Sequence, residues 1–133
     1  VTRREKRVLV VDEDGPSRTL LVTVLRRRGL LVDAAHSTPE AVERLGQCYY
    51  ALVLLNSREL QRRIRAIPGP ARPLVIAVTD DNHRRDFDPE LVAGTLHKPV
   101  DVDLLVETVA GCLTALQPVA QRETCLEDAT EVN

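Results

Sequence analysis

In four places the 133-residue sequence sets a chemically competent side chain directly after a short aliphatic run. Val8-Leu9-Val10-Val11 stops at Asp12, Glu13 and Asp14. Leu52-Val53-Leu54-Leu55 stops at Asn56, Leu74 to Val78 stops at Thr79, and Thr95-Leu96-His97 stops at Lys98-Pro99. Runs of this length, bounded by polar or turn residues, read as strands buried on both faces. Ligands and chemistry gather at the carboxyl ends of the strands in an open α/β sheet. Parallel neighbours of this kind would therefore bring together an acidic cluster, a carboxamide, a hydroxyl and an ammonium. Ionised carboxylates are hard ligands for Mg²⁺ and can attack a phosphorus centre. The carboxamide of Asn56 is neutral and its oxygen is a poor nucleophile. Each group also has a plainer reading: Asp12-Glu13-Asp14 as helix-capping acids, Thr79 as a common strand-end residue, Lys98 as a loop lysine. Against the last, Lys6 and Lys98 are the lysines among 18 basic residues, and one of them falls just before a proline.

The elements that would position these groups alternate along the chain. After the first strand, about Arg7 to Val11, Asp14-Gly15-Pro16 opens a helix whose apolar stripe is Leu20, Leu21, Val24 and Leu25. Arg26, Arg27 and Arg28 fill its last turn and Gly29 is its stop. Leu30 to Ala35 is a second strand. Ser37 with Glu40 has capping-box spacing, with Thr38 before Pro39 as a competing cap, and the helix ends near Leu45-Gly46. The strand ending at Asn56 follows. Glu59 to Ile67 is a helix of barely two turns, stopped by Pro68-Gly69-Pro70. Its Arg62, Arg63 and Arg65 read as a solvated face. The fourth strand ends at Thr79. Asp80 to Pro89 is polar and loop-like, with a weak helix up to Val92, and a short fifth strand covers Thr95 to His97. Asp101 caps a final helix through about Leu116, with Leu104, Leu105, Val109 and Leu113 as its apolar stripe. Val1 to Lys6 reads as a frayed lead. The expected division is a domain over 1–116 and a polar tail or linker over 117–133. Five strands alternating with helices imply a doubly wound α/β domain.

Composition excludes several functions. Tyr49, Tyr50 and Phe87 are the aromatic residues, too few for a platform on which nucleic-acid bases stack. A net charge of −2 gives no global electrostatic case for nucleic acid. His36 and His97 lack metal-ligand spacing, and His83 lies in the polar loop, so neither zinc nor a triad is argued. The three cysteines, Cys48, Cys112 and Cys125, match neither a disulfide framework nor a zinc site and suggest reduced thiols in a cytoplasm. No apolar run approaches the roughly 20 residues of a membrane span, and no secretory signal is visible. The expected location is cytoplasmic, with no membrane partner.

Between about Lys6 and Leu116 the chain resembles the receiver domain of bacterial response regulators, the CheY-like family. The resemblance rests on Val-Leu-Val-Val-Asp-Glu-Asp at 8–14, Leu-Val-Leu-Leu-Asn at 52–56, Ile-Ala-Val-Thr at 76–79 and Leu-His-Lys-Pro-Val at 96–100, four motifs in order at strand ends. It implies a CheY-like (flavodoxin-like) (βα)₅ fold, a five-stranded parallel sheet in the order 2-1-3-4-5. In that family an aspartate ending the third strand accepts a phosphoryl group and an acidic pair after the first strand helps hold Mg²⁺. A Ser or Thr ends the fourth strand, and a Lys precedes Pro after the fifth. Residue by residue, Asp12 and Glu13 match the acidic pair, Thr79 the hydroxyl and Lys98 the ammonium. The acceptor position is Asn56.

That departure organises the functional expectation. Without a carboxylate at Asn56 no acyl phosphate forms, and Mg²⁺ on Asp12 and Glu13 should be weak if it binds at all. Lys98 would keep Asp12 or Glu13 as partner and could bond the Asn56 oxygen. The Met-Pro and glycine-containing loop usual after the acceptor is missing, since Ser57-Arg58-Glu59-Leu60 runs almost directly into a helix. The aromatic usual three residues before the Lys is Thr95. The resemblance thus implies a degenerate receiver, or pseudoreceiver: a non-enzymatic protein-interaction or dimerisation module in two-component (phosphorelay) signal transduction. It would act independently of phosphorylation through the face of the fourth helix, fifth strand and fifth helix. It would regulate an attached or partner transcription regulator, with DNA reached only through a separate output domain. Two alternatives remain: phosphoryl transfer to a non-standard residue such as Ser57, or a small-ligand sensor in the strand-end crevice.

Overall fold

The computed structural model describes residues 6–79 and 90–115. Five strands, β1 (Arg7–Val11), β2 (Leu31–Ala35), β3 (Leu52–Leu55), β4 (Leu74–Thr79) and β5 (Val92–His97), form one parallel sheet in the order β2-β1-β3-β4-β5. Four helices accompany them among the described residues: α1 (Gly15–Arg27), α2 (Thr38–Gln47), α3 (Arg58–Arg65) and α4 (Val102–Ala115), with a 3₁₀ turn at Gly69–Ala71. This is the expected order 2-1-3-4-5.

Alternation along the strands divides the core into two layers. Val8, Val10, Leu52, Leu54, Ile76 and Val78 pack with Leu21 and Leu25 of α1 and Leu105 and Val109 of α4. Leu9, Val11, Val53, Leu55 and Val75 pack with Ala41 of α2 and Leu60 and Ile64 of α3. Strands buried on both faces need no polar side, so their sequences are continuous aliphatic runs rather than alternating ones.

The helix ends follow local chemistry. Asp14 accepts from Ser17 N–H at 2.9 Å and caps α1. At the other end Gly29, at φ 82°, donates to the Arg26 carbonyl while Leu30 N–H reaches back to Leu25, a Schellman closure that needs a left-handed residue. Ser37, not Thr38, caps α2, accepting from Glu40 N–H at 3.2 Å. The Glu40 carboxylate closes the reciprocal half of the box on His36 N–H at 2.6 Å, one residue before the cap. That backbone bond is the main reason its carboxyl lies below the usual range. Asp101 accepts from the N–H groups of Asp103 and Leu104 and starts α4.

Several boundaries differ from the sequence expectation. α3 occupies Arg58–Arg65 rather than Glu59 to Ile67. β5 begins at Val92 rather than Thr95, because Val92 pairs with Val75 across a register shift between Val75 and Ile76. The weak helix expected up to Val92 therefore cannot include Val92, and its remainder over 80–89 lies outside the described residues, as does the tail 117–133. Lys6, expected to fray, donates to the Leu113 carbonyl at 2.8 Å, placing a cation at the C-terminal turn of α4. Cys112 is a free thiol. Cys48 is disulfide-bonded, which corrects the reading of three reduced thiols: widely spaced cysteines reveal nothing of the Cα approach, within about 7 Å, that a disulfide requires.

One polar cluster lies under α2. Tyr50 is 1% exposed, its hydroxyl donating to Asp33 Oδ2 at 2.6 Å, with Arg7 Nη1 at 3.7 Å from the same oxygen. Burial first, and then the bond to Asp33, pushes the phenol well above its ordinary range. The folded state then holds this proton more tightly than the unfolded chain. Its contribution is complete below about pH 10, the unfolded tyrosine value, and declines above it.

Urea unfolding at a series of pH values should show wild-type stability falling above about pH 10, with a shallower fall in Tyr50→Phe. Gly29→Ala should lower stability by about 1 kcal/mol, because alanine is strained at positive φ. Gly111→Ala should raise it by about 0.5–1 kcal/mol, since Gly111 is an exposed residue of α4 with open space where a Cβ would stand. Opposite signs in denaturant midpoints are the check.

Candidate functional site

Every sequence-predicted site residue except Thr95 lies at the carboxyl edge of the sheet, brought there by the parallel register. Asp12 follows β1 directly, and its N–H extends the β1–β2 ladder to the Ala35 carbonyl at 3.1 Å. It is 4% exposed. Thr79 ends β4, is buried, and its carbonyl accepts from Lys98 N–H at 2.8 Å. The Lys98–Pro99 peptide is cis. Glu13 and Asn56 are exposed. Thr95 lies within β5, opposite Ala77, and is exposed.

The centre of the site is an ion pair. Lys98 Nζ donates to Asp12 Oδ2 at 2.8 Å, with the two side chains 17% and 4% exposed. The other carboxylate oxygen, Oδ1, accepts from Asp14 N–H at 2.9 Å in a tight turn. Both oxygens of Asp12 are thus engaged inside the chain. The bond expected between Lys98 and the Asn56 oxygen is not made: the ammonium turns to the full charge of Asp12, and Asn56 has no hydrogen bond among the described residues. An ionised carboxylate is a stronger acceptor for the ammonium than a neutral amide oxygen.

Two contacts here were not legible in the sequence reading. Arg18, the fourth residue of α1, turns back over its own helix start and donates from Nη1 to the Asp12 carbonyl at 2.7 Å. Its Nη2 stands 3.8 Å from where a Gly15 Cβ would be. A cation near a helix N-terminus opposes the helix dipole, and that placement was the available signal. Beside β3, only Asn56 and Ser57 separate the strand from α3. The Ser57 hydroxyl accepts from Leu60 N–H at 3.1 Å as the cap of α3 and lies 3.2 Å from Thr38 Oγ1 at the start of α2.

Lys98→Met should destabilise the domain by about 3 kcal/mol, because it strands the Asp12 charge in a nearly closed site. The double variant Asp12→Asn, Lys98→Met should lose less than Lys98→Met alone. Chemical denaturation of the four proteins of this cycle gives the coupling.

No protein-family model matches the chain, and no curated protein matches it. Solved structures do. A response regulator receiver protein from Pseudomonas putida is 30% identical, with a TM-score of 0.72 over 84% of this chain and 99% of that one. A two-component response regulator from Clostridium difficile is 20% identical, with a TM-score of 0.75 over 84% and 98%. The co-crystal structure of the Saccharomyces cerevisiae histidine phosphotransfer signaling protein Ypd1 with the receiver domain of its downstream response regulator Ssk1 supplies a further match, 21% identical, with a TM-score of 0.70 over 87% and 95%.

Proposed function

This chain belongs to the response-regulator receiver family, and within two-component signalling we propose that it is a degenerate receiver: a non-enzymatic module that works through protein contacts without being phosphorylated. The observation that carries the reading is Asn56, a neutral amide at the position that matches the family's phosphoryl acceptor, standing exposed and outside the Asp12–Lys98 pair. An amide oxygen cannot form the acyl phosphate. The neighbouring hydroxyl is no ready substitute, since Ser57 is occupied as the cap of α3.

The Mg²⁺ that the family implies does not fit this donor set. Lys98 and Asp14 N–H hold the two oxygens of Asp12, the third carboxylate is missing, and no group of three His, Cys, Asp or Glu side chains among the described residues could hold a metal ion. The residues present instead hold the site in one arrangement. Partners would then recognise a single state rather than a population shifted by a ligand. The yeast match includes a receiver bound to a phosphotransfer protein, which supports a protein partner here too. β5 is an edge strand with Ala93, Thr95 and His97 exposed, and α4 exposes Val102 and Leu104 at 40% and 50%. We assign partner binding or self-association to this face, with DNA contacted only by a separate output domain. Among the described residues no helix is long and apolar enough to cross a membrane.

Incubation with acetyl phosphate and Mg²⁺ should leave the intact mass unchanged, and light scattering should give the same association constant with and without them. A hydroxylamine-labile phosphoryl increment overturns the reading. So does an association constant that moves by more than about tenfold, or 1.4 kcal/mol.

A further inference from the structure

We propose that Cys48 and Cys125 form a reversible, oxidation-dependent clasp that fastens the C-terminal segment of the chain to the end of α2. The sequence carries three cysteines, Cys48, Cys112 and Cys125. Cys48 is disulfide-bonded and Cys112 is a free thiol, so within one chain the partner of Cys48 is Cys125. The layering of the fold excludes the other pairing independently. Cys112 lies on α4 and packs against the layer that α4 shares with α1, whereas Cys48 packs against the layer of α2 and α3. The sheet stands between them, and a disulfide needs Cα atoms within about 7 Å.

The path is within reach. Cys48 is the C-cap residue of α2, its N–H donating to the Arg44 carbonyl at 3.0 Å. It leads into the amino edge of the sheet, where Ala51 N–H bonds the Arg7 carbonyl at 2.8 Å. α4 ends at the same edge, where the Leu113 carbonyl accepts from Lys6, just before β1. Helix layers on the two faces of a sheet lie on the order of 20 Å apart. Ten residues lead from Ala115 to Cys125, and an extended chain of that length spans up to about 33 Å.

Oxidation joins the two sulfurs with loss of two protons and two electrons, and a small-molecule disulfide such as oxidised glutathione takes the electrons. One cysteine thiolate attacks it and releases a glutathione thiol; the other attacks the mixed disulfide and releases the second. Excess thiol runs the same exchange backwards. The bond closes a loop from Cys48 to Cys125 that contains β3, α3, β4, β5 and α4. Such a closure restricts the unfolded chain and stabilises the folded one. Oxidation therefore gives the C-terminal segment a second anchor, at α2, and reduction returns it to α4 alone. This device sits at the opposite edge of the sheet from the Asp12–Lys98 pair and needs no phosphoryl group.

The test uses the whole 133-residue chain, equilibrated in glutathione buffers of increasing oxidised fraction, alkylated with N-ethylmaleimide in denaturant and weighed intact. Reduced protein should take a label on each of its three cysteines, and oxidised protein on Cys112 alone. Trypsin cuts after Arg58 and Arg122, which places the cysteines on separate peptides. A non-reducing digest should then show the Cys48 peptide joined to the Cys125 peptide. Full labelling at every ratio, a stable glutathione adduct, a Cys48–Cys112 link or two chains linked together each overturns the proposal. The urea midpoint of the oxidised protein should exceed that of the reduced protein by about 1 M. Cys125→Ser should abolish that difference and Cys112→Ser should keep it, with Cys112→Ala in its place if the serine variant does not fold. Equal midpoints in the wild type, or a difference that survives Cys125→Ser, also overturn the clasp.

Discussion

The bond between Lys98 and Asp12 ties together parts of the chain that the fold alone would leave apart. β1 and β5 are separated by β3 and β4, three strand spacings or about 14 Å. The lysine side chain and the turn after β5 bridge that distance over the carboxyl edge of the sheet, and the Lys98 N–H is fixed to the Thr79 carbonyl on the way. With both ends mostly withdrawn from water, neither charge can be removed alone without leaving the other stranded. The start of α1, the end of β4 and the approach to α4 are thereby held in one arrangement.

The short connection after β3 acts in the same direction. With only Asn56 and Ser57 between strand and helix, α3 begins at the crevice itself, and its capping hydroxyl meets Thr38 of α2. The helix start is fixed locally: Leu60 N–H bonds the Ser57 hydroxyl and Gln61 N–H the Ser57 carbonyl. Arg58, Arg62 and Arg63 are exposed along α3, where like charges a turn apart cost a few tenths of a kcal/mol. Burial of Leu60 and Ile64 outweighs that cost and holds the helix in place.

At the strand ends Asp12 and Lys98 neutralise each other mostly out of water, while Glu13 and Asn56 are exposed. The apolar side chains of Val102 and Leu104 on α4 reach solvent, as do those of Leu20 on α1 and Leu31 on β2.

Much of this was written in the linear sequence. Four aliphatic runs ending in polar residues, Asp14, Ser37 and Asp101 as caps, and Gly29 as a stop are local facts, governed by backbone hydrogen bonding and by steric limits on φ. They locate the elements to within a few residues. Asn56 at the end of β3 and the short step through Ser57 to α3 are equally local. Other features depended on which strands become neighbours. Lys98 chose Asp12 over Asn56 because the fold offered it a full charge in a site nearly closed to water. β5 began at Val92 because pairing with Val75 extended it beyond what the run Thr95 to His97 suggested. Arg18 was invisible as a site residue because its role depends on a side chain folding back over its own helix start. The Tyr50–Asp33–Arg7 cluster joins positions whose proximity only the β2–β1–β3 register creates. Local propensity and capping act over three or four residues, whereas charge pairing and desolvation act on whatever the topology brings within a few ångströms. The first kind of constraint is legible along the chain; the second existed only once the sheet had closed.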